Sequence, residues 1–267
     1  MNRFEHHFSV SESGQTLLDL LAANTELSKQ KLKDALAKGC VWLTLGKRTQ
    51  RIRRAKKVIA ASSEIHIYYD PQILNAAIPE PTLVTDAQEY SVWNKPCGLL
   101  SQGSKWGDHS TITRWAEKHL TPQRNAFVVH RLDRAASGLI VIAHSKQMAA
   151  ELSRLFAERQ IQKQYHACVA GQWPHSESIT VREPIDNKEA ISHIELVEQK
   201  ADRALLQVTI ETGRKHQIRR HLSQLKFPIL GDRLYGDPNA VCDLQLTAVT
   251  LSFHCPIAQQ PVTFSLL

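Results

Sequence analysis

The stretch His130-Arg131-Leu132-Asp133-Arg134-Ala135-Ala136-Ser137-Gly138-Leu139 decides how the rest of the chain is interpreted. Apolar runs at 127–129 and 139–143 flank it, and their length and β-branched content predict two short buried strands. The loop between such strands has a rigid frame, where functional groups often lie. An ionised carboxylate at Asp133 can act there as a nucleophile or a base. A second interpretation stays open, in which Asp133 and a neighbouring arginine form a structural pair that braces a turn.

Further stretches combine polar side chains with clear strand or helix signals. Asn94-Lys95-Pro96-Cys97-Gly98-Leu99 forms a turn after the predicted strand 90–93. Lys163-Gln164-Tyr165-His166-Ala167-Cys168-Val169-Ala170-Gly171 alternates in polarity as a strand does. Thr212-Gly213-Arg214-Lys215-His216-Gln217-Ile218-Arg219-Arg220-His221 leads into a helix whose apolar residues face a core.

Together these stretches resemble the motifs of the RluA-type family of RNA pseudouridine synthases. The first follows the family pattern H-R-L-D-R-x-T-S-G, with Ala136 at the position of the usual Thr. The others follow N-K-P-x-G-L, K-x-Y-x-A-x-V-x-G and T-G-R-x-H-Q-I-R-x-H. The tail of the last motif, 228–236, is also present, with Lys226 where a Gly is usual. The motifs occur in the family's order over residues 90–253.

The resemblance implies a reaction in which uracil is detached from its ribose, rotated and rejoined through carbon 5, without a metal or a redox cofactor. It implies that Asp133 is the essential carboxylate, which attacks the ribose or removes a ribose proton. Arg219 would pair with Asp133. Tyr165 would stack on the flipped base and is a candidate for removing the proton at carbon 5, although a phenol with an ordinary pKa near 10 is a poor base.

The remaining site residues are predicted from the same motifs. Arg131 would fill the gap that the flipped base leaves, because a planar guanidinium stacks better than an ammonium. Ile218 would pack against the base, or belong simply to the core. Further polar side chains are predicted to bind the substrate: His130, Arg134, Arg214, His216 and Lys95.

Two other function classes compete with this enzyme. A non-catalytic RNA-binding or ribosome-assembly factor could keep the fold without the reaction, but it would not need Asp133, Tyr165 and Arg219 together. A glycosidase-like hydrolase would need a second carboxylate as a partner to the first. The motifs contain no second acid in such a role, so the hydrolase is set aside.

Composition places the chain among folded proteins with a polyanionic partner. Of its 267 residues, 42% are hydrophobic, and the formal net charge is +7. The five cysteines form no C-x-x-C pair and the thirteen histidines show no metal-ligand spacing, so no metal or other cofactor is predicted. The chain start lacks the apolar segment of a signal peptide, and no apolar run reaches the ~20 residues of a membrane span. We therefore expect a cytoplasmic protein.

Residues 1–70 are predicted to form a small basic module. Ser28 is a candidate N-cap for a helix over 29–38, and Gly39 is a natural terminator. Asp34 is the only acid in the range 29–57, and basic residues of one sign at this density predict phosphate contacts. The module resembles the alpha-L RNA-binding module of a ribosomal small-subunit protein. The range contains eleven bases: Lys29, Lys31, Lys33, Lys38, Lys47, Arg48, Arg51, Arg53, Arg54, Lys56 and Lys57.

The overall prediction is an α+β protein. A linker at 71–85, which carries three prolines, precedes a catalytic domain at 86–267. Consecutive strands without intervening helices predict a mixed, mainly antiparallel sheet in that domain. The expected partner is RNA, with large-subunit ribosomal RNA favoured and transfer RNA as the alternative. The protein is expected to be a monomer without a membrane partner.

Overall fold

In a computed structural model, residues 2–267 are described and divide into two compact units. The first unit contains the chain up to Ile78 together with Gln102–Trp115, and the second contains Pro79–Ser101 and Ala116–Leu267. The predicted α+β class with mainly antiparallel sheets is confirmed. The return of Gln102–Trp115 to the first unit was not predicted.

The first unit is built on a four-stranded antiparallel sheet in the order β1-β4-β2-β3. Leu17, Leu32 and Leu36 of its helices are fully buried in its core. The predicted caps of α2 are confirmed, because Lys31 N donates to Ser28 Oγ and Gly39 ends the helix at φ 80°. The elements are β1 (Phe4–Ser9), α1 (Leu17–Ala23), α2 (Lys29–Lys38), β2 (Val41–Leu45), β3 (Arg48–Arg51), β4 (Ser63–Tyr69) and α3 (Pro71–Leu74).

The second unit contains a ten-stranded sheet in which eight strands follow the order β10-β11-β12-β9-β13-β8-β6-β5. β14 pairs with β13 and β7 with β8, and the only parallel pair within residues 2–267 is β13 with β8. The elements, of which α4 begins within the first unit, are β5 (Thr82–Asp86), β6 (Tyr90–Lys95), α4 (Ile112–His119), β7 (Phe127–Val128), β8 (Ser137–Ala143), α5 (Lys146–Ala157), β9 (Gln162–Ala170), β10 (Ile179–Val181), β11 (Ser192–Gln199), β12 (Arg203–Ile210), α6 (Gln217–Gln224), β13 (Leu246–His254) and β14 (Pro261–Ser265).

The range 71–85, predicted as a linker, is partly regular structure. Asp70 Oδ1 accepts hydrogen bonds from Gln72 N and Ile73 N and so begins the short helix α3. β5 pairs with β6 at the sheet edge. The prolines suggested an extended connection, but one lies at the first position of α3, where a missing N–H costs nothing.

The parallel crossing of β8 and β13 depends on Gly138. Its φ is 106°, and a Cβ there would lie 2.2 Å from the carbonyl oxygen of Ala248. A side chain would therefore push the two strands apart. Gly138 is the second residue of β8, which begins directly after the Asp133 loop, so the same glycine fixes where that loop ends.

No helix in residues 2–267 is both long enough and apolar enough to cross a membrane.

Candidate active site

The Asp133 loop joins β7 to β8, and hydrogen bonds to buried polar groups hold its backbone. Ser101 Oγ donates to the carbonyl of Leu132 at 2.7 Å and accepts from Leu132 N at 3.1 Å. Ala136 N closes a turn onto the carbonyl of Asp133 at 3.2 Å, and Gly98 N binds the carbonyl of Arg134. The backbone on both sides of Asp133 is therefore fixed, which limits where its carboxylate can point.

Lys95 is fully buried at the end of β6. Its Nζ donates to the carbonyls of Ala136 at 2.6 Å, Leu99 at 3.0 Å and Pro96 at 3.1 Å. Burial lowers the pKa of Lys95 to about 8, so the ammonium remains charged at neutral pH. The predicted substrate contact is therefore replaced by an internal role, because the buried ammonium joins the 96–99 turn to the Asp133 loop.

Arg219, on α6, binds two carboxylates at once. Its Nε and Nη2 donate to Asp232 Oδ2 and Oδ1 at 2.8 and 2.7 Å, and its Nη1 donates to Asp133 Oδ2 at 3.3 Å. The side chain of Asp232 is completely buried, whereas that of Asp133 is 25% exposed. The predicted Arg219–Asp133 pair is present, and Asp232 is a partner that the sequence motifs did not reveal.

The protonation of the clamp follows from its geometry. Burial alone would raise the pKa of Asp232, but the hydrogen bonds from Arg219 and from the N–H groups of Tyr235 and Leu234 lower it overall. Burial alone would lower the pKa of Arg219, but Asp232 and Asp133 raise it. Both members of the buried pair therefore stay charged at neutral pH.

His216 approaches Asp133 from the other side. It has a left-handed backbone, at φ 56°, immediately before α6. Its Nε2 lies 3.7 Å from Asp133 Oδ1, beyond hydrogen-bond range, and its Nδ1 is 2.9 Å from the hydroxyl of Tyr235. Burial lowers the pKa of His216 more than Asp133 raises it, so the ring is neutral at pH 7.

A cavity of about 90 Å³ and a cleft of about 620 Å³ are both lined by Asp133, and they share Arg131 and Tyr165 as lining residues. Tyr165 lines both and is buried, and burial together with Asp133 raises its pKa. Its hydroxyl therefore keeps its proton at neutral pH, which weighs against Tyr165 as the base at carbon 5. Six other predicted residues line this cavity: Asp133, Arg131, Ile218, Arg214, His216 and Arg219.

The three predicted arginine contacts differ in their environments. Arg131 is exposed at the rim that the cavity and the cleft share. Arg214 also lines both, and its Nε donates to the carbonyl of Glu189. Arg134 is exposed but lines neither, and its Nε donates to the carbonyl of Gly98. Arg131 and Arg214 can therefore contact a bound base or its backbone, whereas Arg134 faces away from the cavity.

His130 lines the cleft and also supports the loop. Its ring stacks on Phe156 with centroids 4.3 Å apart, and its Nε2 accepts from Val141 N at 2.9 Å. Burial lowers the pKa of His130 to about 3, so the ring is neutral and carries its proton on Nδ1. The histidine that precedes Arg131 thus fixes the start of the loop.

Gln217 is a buried residue whose role the sequence did not reveal. Its Oε1 accepts from Thr212 Oγ1 and from Arg214 N, and its Nε2 donates to the carbonyl of Ile191 and to Ser192 Oγ. These four bonds fasten the loop before α6 to β11. In the sequence, Gln217 stands at the start of the predicted helix, where an amide side chain is usually solvated, so its position gave no sign of burial.

The eleven basic residues in the range 29–57 are not all free of ion pairs. Four are held by carboxylates: Lys29 by Asp19, Lys38 by Asp34, and both Arg51 and Arg53 by Asp108. The other seven are exposed and have no ion pair in the described part of the chain. We call them the unpaired basic residues: Lys31, Lys33, Lys47, Arg48, Arg54, Lys56 and Lys57.

In residues 2–267, no group of three or more His, Cys, Asp or Glu side chains is arranged to hold a metal ion. The site is instead a carboxylate beside a small cavity, backed by a buried arginine and lined by an aromatic ring and an apolar side chain. Such an arrangement suits an enzyme that uses one carboxylate on a flat ring-shaped group.

Comparison with known proteins agrees with this class. The sequence model of the RNA pseudouridylate synthase family matches residues 89–224, which contain Asp133, Tyr165 and Arg219. The chain belongs to this family of RNA-modifying isomerases.

Three similar proteins illustrate the relationship. The chain is 29% identical over 230 residues to a "Ribosomal large subunit pseudouridine synthase D" of Xylella fastidiosa, covering 79% of this chain and 68% of that protein. It is 32% identical over 206 residues to a "tRNA pseudouridine synthase C" of Vibrio cholerae, covering 63% and 83%. The structure of "Human RNA Pseudouridylate Synthase Domain Containing 1" shares the fold, with a TM-score of 0.60 at 20% identity over 72% of this chain and 85% of that one.

Proposed function

We propose that this pseudouridine synthase modifies one or more uridines of large-subunit ribosomal RNA, with Asp133 as the group that acts on the ribose. The observation that carries the proposal is the partly exposed Asp133 carboxylate, bound by Arg219 at the edge of a cavity lined by Tyr165 and Ile218. A carboxylate placed this way meets a flipped nucleotide without first losing its own support.

The first step is extrusion of the target uridine from its stack, at a cost of a few kcal/mol. Arg131, exposed at the rim, supplies a planar cation that fills the gap. Tyr165 stacks on the base and Ile218 packs against it, so the uracil is held while its bond to the ribose is broken. The detached uracil is thus stabilised by contacts with Tyr165 and Ile218 instead of by solvent.

Asp133 then attacks the ribose or removes a ribose proton, and both routes require an ionised carboxylate. Arg219 stays charged because Asp232 holds it, so the positive charge beside Asp133 is constant through the reaction. After the base has rotated, carbon 5 forms the new bond to the ribose. At the same time the ester bond from Asp133 to the ribose breaks or, on the other route, the removed ribose proton returns, and the carbon 5 proton passes to solvent water. Tyr165 keeps its own proton at neutral pH, so we assign it to holding the base.

The preference for ribosomal RNA rests on the first unit and on one relative. The seven unpaired basic residues of the first unit suit contacts with the phosphates of a long structured RNA. We propose that residues 1–70 form an RNA-binding module of the alpha-L kind, joined to a catalytic domain at 86–267. A relative named for the large ribosomal subunit matches over 79% of this chain. Transfer RNA is the alternative, because a relative named for it is also similar. We propose a cytoplasmic monomer.

The test is to map pseudouridines in the RNA of a strain that lacks this protein. We expect one or a few sites in large-subunit ribosomal RNA to disappear, to return with the parent gene and to stay absent with Asp133→Asn. Loss confined to transfer RNA would move the substrate to the alternative. Sites that return fully with Asp133→Asn would contradict the role of Asp133.

A further inference from the structure

Lys163 is a partly buried cation without an anionic partner. It lies on β9 two residues before Tyr165, so the two side chains share one face of the strand, and both line the cleft. No ion pair or hydrogen bond of its ammonium is found among residues 2–267. The centroid of the Phe156 ring lies 6.0 Å from its Nζ. Burial and the nearby Arg159 lower the pKa of Lys163.

The carboxylates that line the cleft do not serve Lys163. Asp133 is bound by Arg219, and Glu211 lies 2.7 Å from Nε2 of His193. A partly desolvated ammonium without a counter-charge is unfavourable by itself. Its presence in the cleft is explained when an anion enters with the substrate.

Arg159 adds an independent observation beside Lys163. It follows α5 with φ 59°, the left-handed conformation in which a helix end usually carries glycine. A side chain in that conformation costs conformational free energy, and such strain is found where the side chain has a function. Its Nη2 binds Glu189 Oε2 at 2.8 Å, but both side chains are about half exposed, at 46% and 57%. A phosphate can therefore replace Glu189 at little cost.

We propose that Lys163 and Arg159 form a binding site for one phosphodiester group of the RNA strand, next to the cavity lined by Tyr165. The site rests on the proposed function, because it needs RNA in the cleft. Lys163 supplies a charge that nothing else neutralises, and Arg159 exchanges its exposed carboxylate for the phosphate. Two donors on different elements would fix the strand's path, so the nucleotide beside this phosphate is the one aligned with the cavity.

The test is a thermodynamic cycle that measures the coupling between one side chain and one phosphate in RNA affinity. It is carried out on full-length Asp133→Asn protein so that the RNA is not converted. The probe is a short oligocytidylate with one central uridine and a neutral methylphosphonate at each flanking linkage in turn. At one linkage we expect about ten-fold weaker binding. Adding Lys163→Met should cause a similar loss with normal RNA and no further loss with that neutral linkage.

Lys146→Met is the matched control, because Lys146 is exposed at the start of α5 and lines no part of the cleft. It should keep the full response to the neutral linkage. Equal responses of the Lys163→Met protein and the control at every linkage would overturn the site. That outcome is distinct from failure of the proposed function, which would show as a parent protein that forms no pseudouridine in any RNA.

Arg159→Gly gives a second readout in which stability and binding change independently. Glycine relieves the left-handed backbone, so the melting temperature should stay equal or rise. RNA binding should weaken, and its logarithmic salt dependence should fall by about 0.7, the value for one phosphate contact on a single strand. Unchanged affinity and salt dependence would exclude Arg159 from the site.

Discussion

Replacing Asp232 by Asn should damage stability more than replacing Asp133, the residue to which we assign the chemistry. Asp232 has no exposed side-chain surface and accepts two short hydrogen bonds from Arg219, whose own side chain is 7% exposed. Breaking a buried pair costs about 3–5 kcal/mol. Asn keeps one acceptor but turns an N–H toward a guanidinium N–H, so we take about 3 kcal/mol.

Asp133→Asn loses much less. The side chain is 25% exposed and its single bond to Arg219 is 3.3 Å long, so the expected loss is below about 1 kcal/mol. For a unit of this size, 1 kcal/mol corresponds to roughly 2–4 °C in melting temperature. Asp232→Asn should therefore melt about 6–12 °C below the parent, and Asp133→Asn within about 4 °C of it.

Two assays make the comparison. Thermal unfolding followed by circular dichroism gives the order of stability, and release of tritium from carbon 5 of labelled uridine gives turnover. Asp133→Asn should fold, bind RNA and release no tritium, because an amide is neither nucleophile nor base here. An Asp232→Asn protein that melts within about 2 °C of the parent would refute the buried clamp.

The pH dependence gives the clamp a second signature. The pKa of Asp232 is lowered in the folded protein, so its contribution is fully present above the unfolded value of about 4 and is lost as pH falls through the folded pKa. The stability difference between the parent and Asp232→Asn should therefore be constant from pH 5 to 7 and shrink below about pH 4. A difference that does not change down to pH 2 would mean that the carboxylate charge is not what holds Arg219.

Two further predictions concern charge elsewhere in the chain. Replacing both Lys47 and Arg48 by Gln should lower the logarithmic salt dependence of RNA binding by up to about 1.4, since each phosphate contact contributes about 0.7. Lys29→Gln should change the salt dependence little, because Lys29 is already paired with Asp19. Equal salt dependences for the two variants would mean that the unpaired basic residues are a solvated surface. The pKa of His130 falls to about 3 on folding, so stability should decrease as pH drops from about 6.5 toward 3, by up to about 1.4 kcal/mol per pH unit for this proton; His130→Gln should remove that contribution, and an unchanged acid slope in urea unfolding would contradict a buried neutral ring.

The sequence predicted most of the elements because their signals are local. The periodic apolar residues, the Ser28 cap and the Gly39 terminator are each set by neighbours in the chain, and the structure confirms them. The motif strings also led to Asp133, Arg219 and Tyr165, which the fold brings to one cavity.

The buried polar contacts could not be predicted, because their partners lie far apart in the chain. A lysine in an Asn-Lys-Pro turn is normally solvated, and only the fold shows that the ammonium of Lys95 is enclosed by carbonyls from two loops. Asp232 follows a glycine in an irregular segment, so no periodicity marked it as buried. Gln102–Trp115 lies between catalytic motifs, yet it packs in the first unit, where Asp108 binds Arg51 and Arg53.

The contact of Asp108 with Arg51 and Arg53 changes how the proposed RNA-binding module should be tested. Removing residues 1–70 would take away the arginines that hold Asp108, and Trp106 would lose the ring of Tyr68, whose centroid is 5.7 Å from its own. A truncated protein would then bind RNA poorly for structural reasons alone. Single charge changes at the unpaired basic residues leave these contacts intact. They therefore separate the contribution of phosphate contacts to RNA affinity from the contribution of packing.

The contacts of Arg219 with Asp133 and Asp232 also explain how the proposed reactive carboxylate can be both exposed and fixed. A fully buried Asp133 would be rigid but inaccessible, and a fully exposed one would be accessible but free to rotate. Here the rigid part is buried one step away, in Asp232 and Arg219, and the backbone around Asp133 is held by Ser101 and Lys95. Within residues 2–267 the Asp133 carboxylate makes one hydrogen bond, which is long, so the proposed turn of the carboxylate toward a ribose would break little. Stability is thus concentrated in Asp232 and Arg219, and Asp133, which we propose as the reacting residue, contributes little to it.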